Sequence, residues 1–171
     1  MEPLKIEPRN IELRPTRLAD LSFVMSAERH PENAAYIDQW RQAQHETAIV
    51  SEDEAHFIVE QAGKAVGYVV LDGMDSPHKS LLLRRIVILP KGAGYGRQTL
   101  RWLKVQTFER MRYHRLWLDV VVSNERALML YLSEGFVVEG TLREAFKAAD
   151  GYKDMLVLAM IKTDYFGEGD S

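Results

Sequence analysis

A chain of 171 residues, 46% hydrophobic and 27% charged, is long enough to fold as one domain with an ordinary core. It has no cysteine, so a disulfide framework and thiol chemistry are excluded, and its five histidines (His30, His45, His56, His78 and His114) show no metal-ligand spacing. The formal net charge of −3 conceals a division: residues 1–60 hold 12 acidic against 6 basic side chains, and the remainder 13 against 16.

A basic second part suits a polyanionic ligand and an acidic first part suits a cationic one, although solvated helix faces give the same tally. No basic stripe with interleaved aromatics occurs, so nucleic acid is not expected as a partner. With no signal-like start and no long apolar run, the expectation is a soluble cytoplasmic protein with neither membrane nor metal among its partners.

Along the chain, Asn10 to Arg14 reads as a first strand, and Thr16 as the cap of a helix reaching about Glu28. His30-Pro31-Glu32-Asn33 breaks it, and a second helical stretch follows with Ala35, Ile37, Trp40 and Ala43 among its less polar residues. Ala55 to Gln61 and Ala65 to Leu71 read as strands joined through Ala62-Gly63-Lys64. Leu81 to Leu89 is a further strand, interrupted by Arg84-Arg85. Gly94 to Arg112 reads as a long helix with Leu100, Leu103, Thr107 and Met111 on one stripe. A strand over Arg115 to Val122 and a helix over Asn124 to Glu134 come next. Two strands, Phe136 to Phe146 and Tyr152 to Ile161, close the chain around Ala149-Asp150-Gly151. Residues 1–165 make a single domain in this reading, and 166–171 a loose tail.

The run Ile86-Val87-Ile88-Leu89-Pro90-Lys91-Gly92-Ala93-Gly94-Tyr95-Gly96-Arg97 carries the strongest functional signal. A strand ends at a proline, and glycines at alternate positions lead into a helix, so backbone N–H groups and the helix N-terminus can face an anion. The dipole alone contributes about 0.3–1 kcal/mol to such binding. The spacing is wrong for a P-loop: Gly96 is followed by Arg97-Gln98 instead of Lys and a hydroxyl residue. The dinucleotide fingerprint fails as well, because its third glycine falls on Arg97 or Thr99. An ordinary strand-to-helix connection is the bland alternative for the turn alone.

Lys91-Gly92-Ala93-Gly94-Tyr95-Gly96 resembles the diphosphate turn of the GNAT N-acetyltransferases, whose pattern is Gln/Arg-x-x-Gly-x-Gly/Ala. A second block resembles that family too: Leu116 to Ser123 as a strand, Asn124 opening a helix, then Ala127, Tyr131 and Gly135-Phe136. The resemblance runs from residue 81 to residue 161. It departs from the family in having Lys91 for Gln/Arg and about two residues fewer between Pro90 and the glycines. Gly140-Thr141-Leu142-Arg143-Glu144 with Asp150-Gly151-Tyr152-Lys153-Asp154 resembles the branch containing ribosomal-protein and polyamine N-acetyltransferases.

The resemblance implies the GNAT acyltransferase fold, an α/β (α+β) arrangement with a mixed, mainly antiparallel sheet splayed between its central strands and flanked by helices. It implies acetyl-CoA as cosubstrate, with Ile86, Val87 and Ile88 beside the pantetheine arm and the Lys91 to Gly96 turn on the diphosphate. Lys91 and Arg97 would supply charge there. Asn124 would contact the pantetheine region or serve as a plain N-cap. Tyr131 matches the family's general acid, and a phenol with a reference pKa of about 10 keeps its proton at neutral pH. Asp119, twelve residues earlier, matches a catalytic Glu position; one methylene shorter, it acts through water or is structural. Direct acetyl transfer to a primary amine follows, the acceptor being a small amine such as a polyamine, or a peptide N-terminus. Its site would lie between the Glu32 to Trp40 segment, with Glu32, Tyr36 and Trp40 as contacts, and the Lys147 to Lys153 loop. A non-catalytic acyl-CoA-binding regulatory module is the alternative, and a homodimer through the exposed closing strand is the expected assembly.

Overall fold

The computed structural model describes residues 11–167. Seven strands form one sheet, in chain order β1 (Ile11–Pro15), β2 (Glu54–Gln61), β3 (Lys64–Asp72), β4 (Ser80–Ile88), β5 (Arg115–Val121), β6 (Val137–Ala148) and β7 (Gly151–Ile161). Their order across the sheet is β1-β2-β3-β4-β5-β7-β6, and β4 with β5 is the parallel pair. The helices are α1 (Leu21–Arg29), α2 (Pro31–Ala34), α3 (Gln42–Val50), α4 (Tyr95–Val105), α5 (Glu125–Ser133) and α6 (Lys162–Phe166). The expected fold class is the one observed.

Alternation along the strands feeds two cores. Val59, Val69, Leu71, Leu81, Leu83 and Ile88 pack against α4 and α5 through Leu100, Leu103 and Tyr131. Ile58, Tyr68, Val70 and Val87 face the other way, against Leu21, Val24 and Ala27 of α1 and Ala48 of α3. Side chains of a strand point alternately to opposite faces, so a sheet buried on both sides reads as nearly continuous apolar sequence, as β3 and β4 do.

The Arg84-Arg85 interruption is a β-bulge. Opposite β3, Val70 pairs with Arg85 and Leu71 with Leu83, so Arg84 is the extra residue. The insertion shifts the phase of the strand: Leu81 and Leu83 share the α4 side with Ile86 and Ile88, while Arg85 and Val87 turn toward α1.

Three expectations need correction. Thr16 does not cap α1: it is buried, its hydroxyl bonds His56 Nδ1 at 2.8 Å, and α1 begins at Leu21 after a 3-10 turn over Leu18–Asp20. Asp20 stands at the N-cap position of α1 without a side-chain bond to that helix; its carboxylate accepts the Arg17 amide ahead of the 3-10 turn at 2.7 Å and the Arg14 guanidinium at 2.7 and 2.9 Å. The second helical stretch divides into α2 and α3, and residues 35–41 between them are neither helix nor strand. The helix after the glycine turn ends its regular α course at Val105 and continues as a π-turn over Gln106–Arg110. The first strand's expected start, Asn10, and the tail beyond Gly167 lie outside the described residues.

Candidate active site

β4 and β5 pair over three positions, Ser80 with Arg115, Leu81 with Leu116 and Leu82 with Trp117, and beyond them no pairing continues. On its other edge β4 remains paired with β3 through Ile86, Val87 and Ile88. The strands therefore fork, and peptide groups of β4 facing β5 past the fork have no strand partner; an extended ligand laid there would pair with them as an added strand.

One cleft follows the fork. Its lining includes Ile86, Val87, Ile88, Lys91, Gly92, Gly94, Tyr95, Gly96, Arg97, Asp119, Asn124 and Tyr131, together with Glu32, Tyr36 and Trp40. Residues from five elements, α2, β4, α4, β5 and α5, thus line one cleft. Ala93 stands apart from the lining, and so does the 147–153 loop; from that end of the sheet Ala145, Phe146 and Met155 face the cleft instead. The loop is only the tight β6–β7 connection, with Ala148 paired to Gly151. Asp38 was missed, because residues 35–41 read as helix when they are loop.

At the glycine turn, Gly92 and Gly94 have φ of 77° and 83°, a region that favours glycine, and Gly94 is the N-cap of α4. A Cβ built at Gly92 meets nothing within 4 Å, and one at Gly94 meets only Gln98 Nε2 at 4.0 Å, so the outer face of the turn is open. Burial lowers the Lys91 ammonium's pKa and Arg126 adds to the effect, while Glu32 opposes it. Glu32 therefore acts electrostatically on the turn. Arg97 forms an ion pair with Glu134 at the end of α5, and Glu134 also accepts from Arg101 at 3.2 Å and Lys104 at 3.0 Å. Despite burial, those three cations hold Glu134 below the usual carboxylate range.

Across the fork, Tyr131 is 6% exposed and packs edge-on against Phe136, ring centroids 6.0 Å apart. Burial first, and then the Asp119 carboxylate, raise its phenol above the ordinary value, so it stays protonated. Asp119 is open to solvent inside the cleft. The protein crowded around it and then the Asp38 carboxylate raise its pKa, with Arg84 opposing. Asn124 caps α5, its Oδ1 accepting the Ala127 amide at 3.3 Å. Among the described residues no group of side chains has the makings of a metal site.

The strand fork, the open glycine turn and the helix N-terminus together fit a ligand with a long amide-bearing arm and a diphosphate. The model of the family described as Acetyltransferase (GNAT) family matches residues 17–136. A curated relative, spermidine N(1)-acetyltransferase of Vibrio cholerae, is 31% identical over 120 residues, spanning 68% of this chain and 69% of its own. A crystal structure of spermidine N-acetyltransferase from Vibrio cholerae in complex with CoA and spermine superposes with a TM-score of 0.82 at 26% identity, covering 92% of this chain and 98% of that one. A dodecameric structure of the Vibrio cholerae enzyme gives 0.78 at 25% identity, covering 94% and 98%. The fork, the turn and these likenesses agree, and the chain belongs to the GNAT family of acetyl-CoA-dependent N-acetyltransferases.

Proposed function

We propose that the chain transfers acetyl from acetyl-CoA directly to a primary amine of a small polycation of the polyamine class. The observation that carries this reading is the pair Asp38 and Asp119: both line the acceptor side of the cleft, the charge of one acts on the other, and neither has an ion-pair partner among the described residues. An ammonium placed between them relieves that repulsion. The names of the relatives, which are spermidine acetyltransferases, support the same class.

Bound acetyl-CoA supplies the acetyl group as an activated thioester. The backbone of Ile86, Val87 and Ile88 holds the arm, and the Lys91 to Gly96 turn with the start of α4 receives the diphosphate; Lys91 contributes charge. Arg97 shares the single carboxylate of Glu134 with Arg101 and Lys104, so the cluster at the start of α4 keeps a net positive charge for the phosphates. Asn124 orients the start of α5 beneath the arm.

Asp119 takes a proton from the acceptor ammonium, through a water where the shorter side chain does not reach. The free amine attacks the thioester carbonyl, a C–N bond forms and the C–S bond breaks. Tyr131 gives its Oη proton to the departing sulfur and is reprotonated, through water, by the second proton that the new amide nitrogen sheds, while Asp119 returns its proton to solvent. Alignment of the two reactants supplies most of the rate, up to roughly 7–11 kcal/mol in favourable cases. Tyr36 and Trp40 line the amine's entry and Glu32 lies toward the turn.

No helix of the described residues is long and apolar enough to cross a membrane. The cytoplasm as site of action and a homodimer belong to this proposal. Val137, Val138 and Leu142 are exposed on β6, whose open edge is where a second copy would pair.

The test is to saturate the protein with acetyl-CoA and follow thiol release with spermidine, spermine, monoamines and peptides with free N-termini, identifying products by mass spectrometry. Acetylated polyamine is the expected product. Turnover confined to peptides moves the acceptor class, and binding without turnover on any amine supports the regulatory module.

A further inference from the structure

Beneath the acceptor side of the cleft lies a buried polar cluster that the transfer chemistry leaves unused. Glu28, near the end of α1, is 1% exposed; its Oε1 accepts from Tyr68 Oη at 2.5 Å and lies 3.1 Å from the Arg85 guanidinium. Its Oε2 accepts the Trp40 amide at 3.1 Å, and its carbonyl accepts from Gln39 Nε2 at 3.0 Å. Arg85 in turn donates to the Asp38 carbonyl and lies 4.3 Å over the Trp40 ring. Burial opposes ionisation of Glu28, yet the close His45 imidazole, the hydrogen bond from Tyr68 and the charge of Arg85 outweigh it, and the carboxyl is held below its ordinary range.

The histidines complete the cluster. One consistent set of tautomers sends the Thr16 hydroxyl to His56 Nδ1 at 2.8 Å and His56 Nε2–H to His45 Nδ1 at 3.0 Å. His45 Nε2–H then faces Glu28 Oε1 at 2.9 Å, too bent for a full hydrogen bond.

A buried ion pair is a poor source of net stability, because desolvation cancels most of its Coulomb gain. Its effect here is geometric. Residues 38–40 belong to no helix or strand, and four tethers hold them: the Asp38 carbonyl, the Gln39 side chain, the Trp40 amide and the Trp40 ring. Arg85, the inner residue of the β4 bulge, stands directly before Ile86 of the cofactor strand.

We propose that Glu28 and Arg85 are positioning residues for the acceptor: they fix the 36–40 loop against β4, so that Asp38 and Trp40 meet the amine at a set distance from the cofactor strand. The inference rests on the reading that the amine enters beside that loop. It also gives the bulge a purpose, since in an unbroken strand Arg85 would share the side of Leu81 and Leu83 and face the opposite core.

Glu28→Gln keeps the size of the side chain and removes its charge. The expected result is a KM for the amine raised about tenfold or more with a lowered kcat, while the Kd for acetyl-CoA stays within about twofold. Amide exchange in residues 36–41 should accelerate with no acceptor present, while exchange in β4 stays as in the wild type. Arg85→Lys retains a charge for Glu28 but loses the flat guanidinium, and should show the same signature. Gln39 is exposed, so Gln39→Ala leaves the fold in place and should give a smaller change of the same kind even where Glu28→Gln fails to fold. Unchanged amine KM with unchanged loop exchange in a folded variant overturns the proposal, as does an equal loss of acetyl-CoA affinity. A wild-type protein that acetylates no amine refutes the proposed function instead, and loop exchange then judges the tether alone.

Discussion

Asp119 on β5 and Tyr131 on α5 are electrostatically linked across the fork: the carboxylate adds to burial in holding the phenol protonated. An acid that must keep its proton until sulfur leaves is thereby held in its working state.

Tyr131→Phe retains the edge-on packing against Phe136 and removes only the hydroxyl. The expected outcome is kcat lower by about 10²–10⁴-fold with acetyl-CoA affinity nearly unchanged by calorimetry. A matching loss of affinity would assign the tyrosine to binding or packing.

Asp119→Asn addresses the base. Because crowding and Asp38 raise the Asp119 pKa, kcat/KM in the wild type should climb with pH through a limb above the ordinary Asp value of about 4. In the variant that limb should vanish and kcat/KM at neutral pH fall by about 10²-fold. A variant profile with the same limb would leave Asp119 a structural role only.

Gly94→Val should weaken acetyl-CoA binding by placing a side chain on the open face of the turn, but the left-handed backbone there strains any such residue. Gly63→Val is the control: Gly63 has φ of 74°, lies in the β2–β3 turn and has nothing within 4 Å of a built Cβ. Both variants should melt earlier, and only Gly94→Val should bind acetyl-CoA less tightly. Equal affinities in the two would remove the diphosphate from this turn.

His56 gives the stability of the fold a pH dependence. Burial, then the neighbouring His45, push its pKa down to about 4 from the ordinary 6.5. Between those values the unfolded chain binds a proton that the folded one refuses, so stability is full above pH 6.5 and declines as pH falls toward 4. The loss over the whole window is on the order of 3 kcal/mol. Thermal midpoints measured from pH 7 to pH 5 should fall in the wild type and fall less in His56→Gln; parallel curves would contradict the assignment.

The cofactor half of the site was legible in the sequence because its physics is local. Gly92 and Gly94 sit where the backbone needs positive φ, and Asn124 caps the helix that carries Tyr131. The acceptor half was not, because long-range partners hold it. Nothing near Asp38 or Trp40 in sequence tells that residues 38–40 hang from Glu28 and Arg85, 12 and 47 positions away along the chain. Thr16 looked like a cap for the same reason, its true partner His56 lying 40 residues on. The Arg84-Arg85 pair was visible as an interruption, and only its register against β3 reveals a bulge.

Transfer to a cationic amine between Asp38 and Asp119 is best examined through kcat/KM for a monoamine, a diamine and spermidine, each at low and at high salt. Two facing carboxylates should make kcat/KM rise with acceptor charge, by about tenfold or more from monoamine to spermidine at low salt, and salt should shrink that advantage. Equal kcat/KM across the series, unaffected by salt, would contradict it.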